Sequence, residues 1–214
     1  MKAAVVEPSG GTDTPGKTDT PGQTDTPGKE TPAGKPVITT ALMALLCAIG
    51  WLASVLAGGW VECGQVVHRF ALAGHILALV LSFGAIIVVD WVGLLWLLGR
   101  RDIHDTSRLE SAAQPLIWCG LAALLVTGSL IDPDLGNPLT QVKLGCVLLL
   151  MLNGVLLAPT MRKLHALPPG TLFSAMAAPL RKHLLVALCI SQGCWWLCVL
   201  VGLLNSSLRR WTGT

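Results

Sequence analysis

Residues 70–98 read FALAGHILALVLSFGAIIVVDWVGLLWLL, an apolar stretch that carries only two ionisable groups, His75 and Asp90. A helix of this length exceeds the roughly 30 Å of bilayer hydrocarbon, so it must tilt or protrude. An ionisable side chain at hydrocarbon depth costs at least about 2.5 kcal/mol, which turns such groups toward protein or water. Four further apolar runs cover residues 37–57, 115–131, 142–158 and 184–204. Charged residues make up 13% of the chain and the mean hydropathy is +0.64, whereas soluble domains average about 25% charged. The runs are continuous and do not alternate, which excludes a transmembrane β-barrel. The expected fold is all-α: a polytopic membrane bundle of about five transmembrane helices over 37–204, followed by a short tail, 205–214.

The first 36 residues have a different character. The pentad Thr-Asp-Thr-Pro-Gly recurs from Thr12, Thr18 and Thr24, and there is almost no apolar material to bury. Such a stretch is expected to be a disordered, low-complexity arm. No basic start leads straight into an apolar core, so it does not read as a signal peptide. A net charge of +3 is too small to suggest nucleic acid, which is not expected as a partner. The partners expected are the lipid bilayer and, within it, another membrane protein or a second copy of this chain.

Basic residues give the orientation. With five spans, eleven of the fifteen fall on the side that holds the arm, the loop around 99–114 and the loop around 160–183. Positive charge in short loops marks the cytoplasmic face. The expectation is a multi-pass protein of the plasma (inner) membrane, N-terminus cytoplasmic and C-terminus outside. Pro115 is expected in the first turn of the third helix, Lys143 at the opening of the fourth, and the apolar piece 172–180 along the membrane interface.

At 100° per residue, Ala71, Gly74, His75, Ala78, Ser82, Val89 and Gly93 share one arc of the second helix, and His68 falls there too. Small residues let helices approach closely in lipid, so this arc should face the bundle and carry His75 inward. Asp90 lies on its edge, with Arg100 or Arg101 as its expected partner. Lys143, Asp132 and Asp134 lie toward the same end of the bundle as His75, and together they outline a polar pocket. Neutral imidazole can ligate metal or haem and can carry protons at physiological pH. Each group also has a purely structural role open to it: a bond to a neighbouring helix for His75, snorkelling for Lys143, turn capping for the aspartates. Interhelical hydrogen bonds account for Gln114, Thr127, Asn153, Ser191 and Gln192. His104, His165 and His183 are expected to be solvated. The seven cysteines contain no C-x-x-C pair and are expected to act as packing residues, with no metal site.

Three motifs carry a resemblance. They are Gly74-His75-Ile76 with Ser82-Phe83-Gly84, Trp118-x-Gly120 with Thr127-Gly128, and Val142-Lys143-Leu144. In that order they resemble the small membrane proteins grouped around the copper-resistance D protein and the HemJ-type protoporphyrinogen oxidase, over residues 74–153. The resemblance implies His75 as a haem or copper contact and Lys143 as its companion. Two function classes follow. In the first the protein is not an enzyme and binds a small ligand, cation or partner through the face around His75. In the second it is a haem b-binding oxidoreductase of the HemJ type, with His75 as axial ligand and Lys143 on a propionate. A third, copper handling, is opposed by the scatter of Met43, Met151, Met161 and Met176, which form no sulfur cluster.

Overall fold

A computed structural model describes residues 34–61, 63–168 and 170–212, with side chains described between 37 and 204. The repetitive arm, residues 1–33, lies outside the described residues, as does its expected disorder. The described chain is all-helical. Helices α1 (Gly34–Gly58), α2 (Gln65–Leu97), α3 (Ile103–Ser129), α4 (Pro138–His165) and α5 (Ala178–Thr212) are joined by short connections and one 3-10 turn, Phe173–Ala175. All five are long and apolar enough to cross a membrane. Much of their outward surface is aliphatic, for example Leu42, Leu45, Ile49 and Leu52 on α1 and Ile76, Leu77 and Val80 on α2. A helix that is apolar on its outer face as well as its inner one suits a lipid surround.

The helices run past the apolar stretches at both ends. Helix α3 begins at Ile103, so Pro115 stands inside it and not in its first turn. Residues 108–114 are mostly good helix formers, and a proline there removes a single N–H without ending the helix. Helix α4 likewise continues through Pro159, and it starts at Pro138, where Asn137 Oδ1 accepts from the Leu139 N–H at 2.9 Å. Lys143 therefore sits in the second turn of α4 and does not open it. Between α2 and α3 only a tight reversal remains, with Gly99 at φ +69, a conformation that favours glycine.

Helix α2 pairs with α3, α4 pairs with α5, and α1 lies against α3 and α4. The small-residue arc is the contact face of α2. Ala71, Ala78 and Ser82 are buried, Ser82 completely. A Cβ added to Gly120 on α3 would come within 2.6 Å of Ser82 Cβ. This closeness is the point of the arc: lipid offers no hydrophobic drive for helix pairing, so tight van der Waals fit must supply it. The Ser82 hydroxyl donates back to the Ala78 carbonyl at 2.7 Å, which removes its polar group from the interface.

The core lies between α2, α3, α4 and α5. It includes Leu121, Leu124, Leu150, Met151, Trp195 and the thiols of Cys146, Cys194 and Cys198. Phe83 stacks on Trp195 with ring centroids 5.5 Å apart and meets Trp196 edge-on. The tandem tryptophans divide their work: Trp195 is 2% exposed and Trp196 is 51% exposed. Polar bonds between helices add register. Trp51 Nε1 donates to the Leu144 carbonyl at 3.0 Å, Ser54 to the Leu125 carbonyl at 2.8 Å, and Asn153 Nδ2 to the Ala187 carbonyl at 2.9 Å.

The segment before α5 packs in part against the bundle. Gly170, at φ +77, turns the chain. Phe173 then meets Trp96 edge-on at 5.3 Å, and Met176 is buried with Trp96, Ile103 and Leu164. Trp96 Nε1 donates to the Thr171 carbonyl at 3.1 Å. Phe173 and Met176 thus pack beneath the ends of α2 and α4, while Leu172 stays 55% exposed.

Candidate functional site

Helix α2 holds His75 on the face it turns to α3. The ring is half-buried, and its Nδ1 lies 2.9 Å from Thr127 Oγ1. Thr127 in turn lies 2.6 Å from the Ala123 carbonyl, to which its hydroxyl donates. A hydroxyl has one proton to give. With that proton on the carbonyl, Thr127 Oγ1 is left to accept, which favours the Nδ1–H tautomer of His75; the Leu124 carbonyl is a further hydrogen-bond partner of the ring. The absent side chain of Gly128 makes room for the ring: a Cβ there would lie 3.5 Å from His75 Cε1. Across from α2, the Lys143 ammonium of α4 is near enough to act electrostatically on both His75 and Cys198.

Two turns along α2 from His75, roughly 10 Å toward its N-terminus, an open cleft of about 550 Å³ is lined by Cys63, Gln65, His68, Arg69 and Asp132. Asp132 belongs to the turn between α3 and α4 and adopts φ 51, the one non-glycine residue with positive φ among the described residues. Aspartate tolerates this region better than most residues, and such backbone recurs at functional sites. No ion pair within 4 Å joins Arg69 to Asp132 among the described residues, so the cleft presents both charges to its contents.

The structure thus unites some of the residues singled out in the sequence and separates others. His68 and Asp132 share the cleft; His75 and Lys143 lie deeper toward the same end. Asp134 is not part of it. Its Oδ1 accepts from the Gly136 N–H at 3.0 Å, a local turn bond. Asp90 is also elsewhere, and its partner is neither Arg100 nor Arg101. Gln192 of α5 donates to its carboxylate and accepts from Trp196 Nε1 at 3.1 Å. Arg101 instead pairs with Asp105, one turn on. The carboxylate side of α2 faces α5, so a partner one helix away is nearer than an arginine beyond the helix end.

Arg69 is the charged cleft residue that sequence reasoning left unassigned, and Cys63 and Gln65 also line the cleft. Its signal was available: it adjoins His68 at the mouth of the arc. Two histidines expected to be solvated have defined surroundings. His165 Nε2 lies 3.4 Å from Glu110 Oε2. His104 stands in the first turn of α3, with its Nε2 buried and without a hydrogen-bond partner among the described residues. Gln114 bonds within its own helix, to Glu110, at 2.5 Å. Among the described residues, no group of three His, Cys, Asp or Glu side chains could hold a metal ion.

Fold and site together define a five-helix protein, consistent with an integral membrane protein, that carries a polar column at one end of its bundle. Compared with family models, with curated proteins and with solved structures, the chain gives no match.

Proposed function

We propose that this protein is a plasma-membrane binding protein, not an enzyme, that takes a small anionic ligand through the cleft above His75. The observation that carries this reading is the convergence of His68, Arg69 and Asp132 on one open cleft, with His75 and Lys143 deeper at the same end. Arg69 offers a guanidinium suited to a carboxylate or phosphate. Asp132 adds an acceptor that selects for ligands with a donor group. His75, held by Thr127, presents an unprotonated Nε2 as a further acceptor. The N-terminus is assigned to the cytoplasm by the distribution of basic residues, which puts the cleft on the outer face.

The test is a thermal-shift screen of the full chain in detergent against small carboxylates and phosphates. A ligand that stabilises the wild type should lose most of its effect with Arg69→Ala and His75→Ala and keep it with Asp134→Asn. Equal stabilisation of all four proteins would refute the assignment.

One observation favours a second reading, a haem-binding oxidoreductase of the HemJ type. The Nδ1–H tautomer leaves Nε2 as the nitrogen that an axial ligand must offer, and Lys143 lies within electrostatic reach for a propionate. Bound haem would supply one-electron chemistry, and His75 and Lys143 would hold it. A Soret band on haem addition that vanishes in His75→Ala supports this reading, and its absence from the wild type excludes it. Copper handling gains no group of three His, Cys, Asp or Glu donors among the described residues.

A further inference from the structure

The opposite end of the bundle has a cleft of its own, about 290 Å³, between α3 and α4. It is lined by Glu110, Ser111, Gln114, Ala158, Met161, Arg162 and His165. We propose that this cleft binds the headgroup of a zwitterionic aminophospholipid, its ammonium on Glu110 and its phosphate on Arg162.

Three observations lead there. The first is charge. The Glu110 side chain is only 12% exposed; it accepts from the Gln114 amide at 2.5 Å, and His165 Nε2 stands 3.4 Å from its other oxygen. These bonds leave lone pairs on a sunken carboxylate. Arg162 lines the same cleft and makes no ion pair within 4 Å among the described residues. A negative floor and an unneutralised cation in one cleft complement a molecule with both charges. The second observation is the backbone. Pro115 has no N–H to return to the Ser111 carbonyl, one turn earlier. Ser111 lines the cleft, and on this proposal its released carbonyl would be a second acceptor for an ammonium, which has three donors to place.

The third observation is depth, and it selects a lipid as the source. The apolar run of α3 begins at residue 115 and that of α4 stops at 158. Glu110, Ser111, Gln114, Arg162 and His165 lie just beyond those limits, and Ala158 and Met161 mark the boundary. That boundary is where headgroups sit in a bilayer. Polar pockets between spanning helices at this level are suited to headgroup recognition. A primary ammonium hydrogen-bonds a carboxylate; a trimethylated one cannot.

The experiment is native mass spectrometry of the full chain released from nanodiscs. The discs contain phosphatidylethanolamine, phosphatidylcholine and phosphatidylglycerol with identical acyl chains. Phosphatidylethanolamine should be retained at least about threefold over phosphatidylcholine, the scale of one solvent-screened ion pair. Glu110→Gln should erase that preference, and Arg162→Gln should weaken both lipids alike. Equal retention of the two by the wild type overturns the proposal, a comparison that needs no variant to fold. Dominance of phosphatidylglycerol also overturns it, since the basic surroundings alone would then explain binding. So does displacement by free O-phosphoethanolamine at the lipid's own concentration, which would show that the acyl chains contribute nothing.

Discussion

His75 is neither a lipid-facing accident nor an isolated charge; it is half of a bond between α2 and α3. In membrane bundles such bonds average about 0.6 kcal/mol and reach about 1.7. A double-mutant cycle of His75→Ala and Thr127→Val, followed by thermal unfolding in detergent, should give a coupling in that range. Additive losses would mean that the two side chains do not meet. Asp90 has the same kind of role on the other flank of α2. Replacing Gln192 with leucine leaves a carboxylate without its donor, and destabilisation of about 1–3 kcal/mol is expected. Arg100→Ala and Arg101→Ala should leave stability within about 0.5 kcal/mol of the wild type, as surface changes usually do. The sequence showed that Asp90 needs a partner but not which one. The choice depended on the rotation of α5, which no pattern within α2 encodes.

At the scale of elements, the contact face of α2 was readable because small residues repeat with helical period. Its depth of approach was not, since that depends on Gly120 in a different helix. Gly120→Ala should place a methyl against Ser82 and cost about 1–3 kcal/mol through overpacking. Adding Ser82→Gly should recover part of that loss. Full stability of Gly120→Ala would show that α2 and α3 are further apart than described. Helix ends were the least legible feature. Hydropathy marks where hydrocarbon can begin, whereas the backbone stays helical for as long as its residues tolerate it. The polar turns of α3 before Pro115 and of α4 after Pro159 therefore read as loops. They fold as helix, and they carry Glu110 and His165. Likewise Leu172 and Phe173 look apolar enough to lie on a membrane, but Trp96 offers Phe173 a protein surface. That contact, like the bond from Trp96 to the Thr171 carbonyl 75 residues away, is invisible to local patterning.

The whole molecule has a polar site at each end of one apolar bundle. The end with His68, Arg69 and Asp132 was partly anticipated, because its residues flank recognisable spans. The end with Glu110 and Arg162 required the α3–α4 pairing to be known. The excess of basic residues at the latter end predicts the orientation. A reporter fused after Thr214 should be active only outside the cytoplasm, and cytoplasmic activity would reverse the assignment. What the functional account needs above all is an imidazole fixed against α3 with its second nitrogen open. The direct measurement is a histidine-selective nitrogen-15 magnetic resonance spectrum of the full chain in bilayers, with His75 assigned by its loss in His75→Gln. The account predicts one tautomer, Nδ1–H, that shifts when Thr127 is replaced by valine. An Nε2–H tautomer, or a signal indifferent to Thr127→Val, would contradict it.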